Sequence, residues 1–106
     1  MKQIIRHSLL VTMLLSSSLY AAGNIAAGQI KGQTCLGCHG VANYNNAYPS
    51  YHVPKLAGQH AGYLVTAMKA YKNGLRSHAT MHANVAGLSE QDMLNIAAYF
   101  AQDIQP

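Results

Sequence analysis

The stretch that most constrains this chain is Cys35-Leu36-Gly37-Cys38-His39, which holds the only two cysteines of 106 residues and sets a histidine directly behind them. Residues three apart lie on one face of a helical turn. Two sulfurs so placed can reach two vinyl groups along one porphyrin edge, and the next residue carries an imidazole under the ring, where it can bind iron. The motif is therefore read as covalent attachment of one haem c through Cys35 and Cys38, with His39 as a ligand of the iron. Other uses of a Cys-x-x-Cys pair fit less well. A thioredoxin-like centre sits between a strand and a helix, and no alternating β-branched run precedes Cys35. A zinc site would have to recruit two more ligands from scattered histidines. A disulfide between residues only three apart closes a tiny, usually strained loop.

The start of the chain reads as a secretory signal: Lys2 and Arg6, then apolar Leu9 to Leu15, then small residues from Ser16 to Ala22. The expected organisation is a signal peptide over 1–21, cleaved after Ala21 or next to it after Ala22, and one domain over 22–106. The apolar run is short for a bilayer span, so no stable membrane insertion is expected after cleavage; a retained anchor is the alternative. No cysteine stands at the signal's end to take a lipid. The remaining 85 residues are near the lower limit for a single core, and they contain one Phe and no Trp. A haem would supply the large apolar body that this inventory lacks. Without Lys2 and Arg6, five cations stand against Glu90, Asp92 and Asp103, a net charge of +2. Five dispersed cations make a poor nucleic-acid footprint, so no nucleic-acid partner is expected.

Hydrophobic spacing predicts three main helices and no strands. The first runs from Asn24, its N-cap, to Thr34, with Ile25, Gly28, Gly32 and Cys35 on one face. Two glycines on that face predict close packing by another helix. The second runs from about Gln59 to Asn73, with Ala61, Leu64, Met68 and Tyr71 inward and Asn73-Gly74 as the stop. The third opens on Ser89-Glu90-Gln91-Asp92, which resembles a capping box, and runs to Gln102 with Met93, Ile96, Ala97, Phe100 and Ile104 inward. Val41 to His52 reads as a loop whose tyrosines cover a small core, and Leu75 to Leu88 as a long irregular segment of the kind that is commonly functional. That segment contains Arg76, His78, Met81 and His82.

The second axial position decides between electron transfer and chemistry on a bound molecule. Met81, His78, His82 and no protein ligand at all are open on chemistry alone. The joint order of Cys35-x-x-Cys38-His39-Gly40, Pro54 to Gln59, Tyr63-Leu64, Met81, Leu88-Ser89 and Ile96 to Phe100 resembles the short bacterial class I cytochromes c, and equally one half of the larger dihaem bacterial cytochromes. The resemblance covers nearly all of residues 24–101. It implies an all-α class I fold, three main helices and loops wrapped around one haem, with the first and last helices crossing where Gly28 meets Tyr99. It further implies that the Pro54 carbonyl accepts the His39 ring N–H and that Met81 is the distal ligand. The function so implied is that of a periplasmic, non-enzymatic carrier moving single electrons between larger redox proteins. The alternative is a haem subunit of a larger dehydrogenase or reductase.

Overall fold

Asn24 starts the first helix as expected, its side-chain oxygen accepting the Ala27 N–H at 2.8 Å. The computed structural model describes residues 22–103. The expected signal peptide over 1–21, and Ile104 of the last helix, lie outside them. Five helices follow one another: α1 (Ile25–Lys31), α2 (Gln33–His39), α3 (Ala61–Lys72), α4 (Ala79–Val85) and α5 (Glu90–Phe100). The three main helices of the sequence reading are α1, α3 and α5. The expected first helix is broken at Gly32, where the Cys35 N–H bonds back three residues to the Gly32 carbonyl at 3.0 Å. Glycine is a poor interior helix residue, and the break lets α2 leave α1 with the whole Cys-x-x-Cys-His motif in one helical piece.

Two further segments differ from expectation. Residues 41–52 contain a short antiparallel hairpin, β1 (Asn45–Ala47) with β2 (Ser50–His52), in the register Asn45 to His52. Its turn is Tyr48-Pro49, joined by a cis peptide bond. Three-residue strands rich in asparagine carry no strand signal of their own, so the sequence does not announce them. Residues 75–88 contain α4, which carries Met81 in its first turn. Gly74, at φ +83°, ends α3 in the left-handed conformation that glycine adopts freely.

α5 is the centre of the fold. Its start is a complete capping box: the Ser89 hydroxyl accepts the Asp92 N–H at 3.0 Å, and the Asp92 carboxylate accepts the Ser89 N–H at 2.9 Å. Its inner residues Met93, Ile96, Ala97 and Phe100 are all buried, as the spacing predicts. Leu64 of α3 joins Ile96, Ala97 and Phe100 in one core cluster. On its other side α5 packs against α1. A Cβ on Gly28 would stand 1.8 Å from the Asn95 carbonyl oxygen and 3.0 Å from the Tyr99 Cβ. The expected meeting with Tyr99 is therefore present, and the backbone of Asn95 is the tighter limit. Asn95 also accepts the Asn24 N–H at 2.8 Å through its side chain. Ile25, expected on the buried face with Gly28, is instead half exposed.

Candidate functional site

Cys35, Cys38 and His39 all lie in α2. Cys35 is half-buried against the core cluster, while Cys38 is exposed. Burial pushes the Cys35 thiol above its ordinary pKa, and a hydrogen bond with the Thr34 side chain opposes that shift. The His39 ring donates its Nδ1–H to the Pro54 carbonyl at 2.7 Å, as the sequence resemblance implies. A carbonyl can only accept, so this contact fixes the tautomer and leaves Nε2 with its lone pair free for a metal.

The Pro54 carbonyl is held in turn by the frame of the molecule. Val53 is buried, and its N–H donates to the Tyr44 carbonyl at 2.9 Å. A few residues on, the Gly58 N–H donates to the carbonyls of Phe100 and Gln102, both at 2.9 Å. These are carbonyls that the end of a helix leaves unpaired. The end of α5 therefore anchors residues 54–58, and that segment anchors the ring of His39.

Met81 stands apart from this group. It is half-buried in α4, which packs on α3. Among the described residues the backbones of α2 and α4 do not approach each other, so His39 and Met81 are carried on separated helices. Separate elements of this kind can offer ligands to the two faces of a flat group. His78 and His82, the rival ligands, each use Nδ1 in a local hydrogen bond. The His78 Nδ1 accepts the Met81 N–H at 3.3 Å and so caps α4. The His82 ring donates its Nδ1–H to the Tyr71 carbonyl at 2.9 Å. Both rings line a cleft with Tyr71, Gly74 and Arg76 to which Met81 does not contribute.

The surroundings fit a haem. A cleft of about 580 Å³ opens beside His39, lined by apolar Leu36, Val41, Val53, Tyr99 and Phe100 and by polar Asn43, His52 and Lys55; neither cysteine nor Met81 lines it. Leu56, Ala61, Val65, Met68 and Leu88 pack on the core cluster while remaining only partly covered. Phe100 is the one large side chain among the described residues that is fully enclosed. A small domain with so thin a core and so many half-covered apolar groups suits a large apolar prosthetic group.

Sequence reasoning did not find two residues here. His78 as an N-cap carries no signal, because serine, threonine, aspartate and asparagine are the usual cap residues. Val85, buried in α4, had one: it lies four residues from Met81, the spacing of a helix face.

A mostly helical domain with a Cys-x-x-Cys-His helix, an oriented histidine and a separate helix bearing a methionine defines a covalent haem protein of the class I type. The family model for cytochrome c matches residues 25–102, and the chain belongs to the cytochrome c family. The cofactor that this family binds is haem c, an iron porphyrin held covalently. The chain is 46% identical over 94 residues to cytochrome c4 of Pseudomonas aeruginosa, covering 89% of this chain and 45% of that one. It is 43% identical over 83 residues to cytochrome c-554(548) of Halomonas halodenitrificans, covering 76% of this chain and 96% of that one. A solved cytochrome c4 of Acidithiobacillus ferrooxidans superposes with a TM-score of 0.58 at 29% identity, over 81% of this chain and 52% of that one. The chain thus spans about half the length of the cytochrome c4 relatives, and the domain shares their fold.

Proposed function

We propose that the chain is a periplasmic carrier of single electrons, without a catalysed reaction of its own. In this reading Cys35 and Cys38 would hold the haem by thioethers, and His39 and Met81 would bind its iron. The observation that carries the reading is the 2.7 Å bond from the His39 Nδ1–H to the Pro54 carbonyl, made from the same short helix that holds both cysteines. A histidine held in one tautomer directly behind the two cysteines, with Nε2 free, is prepared to bind the iron of a haem attached there. When bound, the haem supplies a one-electron iron couple. His39 holds one side through a ring that cannot turn while Pro54 stays in place. Met81 offers a soft, neutral thioether on the other side, a ligand that favours ferrous iron and so raises the potential. Two protein ligands leave no open coordination position for a substrate, which is why a carrier fits better than an enzyme. Its partners are then a donor and an acceptor protein of the redox class.

Carbon monoxide tests the reading on the reduced holoprotein. The wild-type protein is expected to refuse it. Met81→Ala is expected to bind it, keep its haem and show a lower potential. Rapid binding by the wild type would instead describe an open site suited to ligand chemistry. Intact mass of the exported protein should equal residues 22–106 plus one haem, with no alkylatable thiol. Size-exclusion of native extract should show a free monomer, and co-elution with a dehydrogenase would favour the subunit reading.

A further inference from the structure

The proposed ligand set uses neither the hairpin nor the two histidines of residues 75–88, yet the hairpin, α3 and α4 meet at one point. That point is the ring of His78. Its Nδ1 accepts the Met81 N–H, and Met81 is the third residue of α4, the position whose N–H an N-cap side chain ordinarily takes. The ring itself is in contact with two tyrosine rings. Tyr51 of β2 meets it edge-on with ring centroids 4.8 Å apart, and Tyr71 of α3 does so at 6.3 Å. Tyr71 is in turn covered by the Arg76 guanidinium, 4.5 Å above its ring, and its carbonyl accepts the His82 ring N–H. The hairpin, the end of α3 and the start of α4 therefore converge on one side chain.

We propose that His78 is the positioning residue for Met81: clamped between Tyr51 and Tyr71, it holds the first turn of α4 through its Nδ1 and so keeps the methionine at its place in the site. This rests on the reading of Met81 as distal ligand and assigns the asparagine- and tyrosine-rich hairpin a task, that of bracing the clamp. A helix of seven residues has little stability of its own. Of its residues only Val85 is buried, and it lies at the end opposite the cap. The first turn, where Met81 sits, therefore depends on the His78 cap.

The test uses the holoprotein with three readouts: the sulfur-to-iron charge-transfer band of the oxidised form, carbon monoxide association with the reduced form, and hydrogen exchange of the Met81 amide. In His78→Ala the haem stays attached and the protein stays folded. Carbon monoxide association and Met81 amide exchange should each rise about fivefold, and the band should weaken, because losing an N-cap shifts such an equilibrium by about that factor. His78→Asn should restore most of the wild-type behaviour, since asparagine is a strong cap without the aromatic clamp. Tyr51→Ala should move the readouts in the same direction as His78→Ala, by less, whereas Tyr51→Phe, which keeps the ring edge, should not. If His78→Ala keeps the band and the wild-type carbon monoxide behaviour while Met81→Ala loses both, the ligand stands and the positioning role is overturned. A His78→Asn protein no better than His78→Ala also overturns it. If Met81→Ala itself keeps the band, the ligand assignment fails and this proposal with it.

Discussion

The crossing of α1 with α5 and the segment carrying Met81 are held by opposite means. At the crossing, backbone meets backbone: Gly28 has no room for even a methyl group against the Asn95 carbonyl. The burial there is continuous through Met93, Ile96, Ala97 and Phe100. In residues 75–88, by contrast, Val85 is the one buried residue, Leu88 reaches the core cluster, and the start of α4 is held by ring contacts and single hydrogen bonds. A close-packed interior transmits any change in volume as strain. A surface segment held by a few polar contacts can open locally while the rest of the molecule stays folded. The difference separates two tasks: the frame fixes α2 and the His39–Pro54 contact, and the distal segment can be tuned one contact at a time.

The largest expected effect lies in the frame. Phe100 is 1% exposed at the centre of the core, and Phe100→Ala should cost about 3–5 kcal/mol in chemical denaturation of the holoprotein. Gly28→Leu comes next, at about 1–3 kcal/mol, because the intruding side chain must push two backbones apart. A variant at Gly28 with unchanged denaturation would mean that the helices do not meet there. Smaller still is the cap of α5, where Ser89→Ala should cost about 1 kcal/mol.

The same cap gives a pH dependence. Hydrogen bonding from the Ser89 backbone N–H, followed by the Ser89 hydroxyl and the Lys31 ammonium, holds the Asp92 carboxyl below its ordinary pKa. A depressed folded-state pKa adds stability that is fully present above the unfolded-state value and is lost as pH falls through the folded one. Acid titration of stability should therefore show a loss beginning near the ordinary carboxylate range, and Asp92→Asn should flatten that part of the curve. The smallest effect should come from the exposed pair Lys55 and Asp103, 3.5 Å apart. Lys55→Ala should change stability by less than about 1 kcal/mol, and a larger loss would mean that the Pro54 segment leans on this pair more than on the Gly58 hydrogen bonds.

What could be read from the sequence follows the same division. The frame is written in spacings: glycines at 28 and 32, the inward residues of α5 and the Ser89–Asp92 box all act over one or two turns, and each was legible. The cysteines and His39 were legible because their chemistry demands adjacency. Gly32 as a break was not, since a single glycine can be tolerated within a helix. Helix α4 was not, because its cap is a histidine and its buried face amounts to Val85. The hairpin was not, because its strands are three residues long and Tyr51 finds His78 only across the fold. Contacts made between distant segments leave no periodic mark on the chain.

The most direct test of the account compares three methionines by the near-infrared charge-transfer band of the oxidised holoprotein. Met68 packs on the core cluster from α3, Met93 is buried in α5, and Met81 lies in the distal segment. The band should be present in the wild type, survive replacement of Met68 or Met93 by leucine, and vanish in Met81→Ala with the haem still attached. A band that persists in Met81→Ala, or that disappears with Met68 instead, would contradict the assignment of Met81 as the ligand opposite His39.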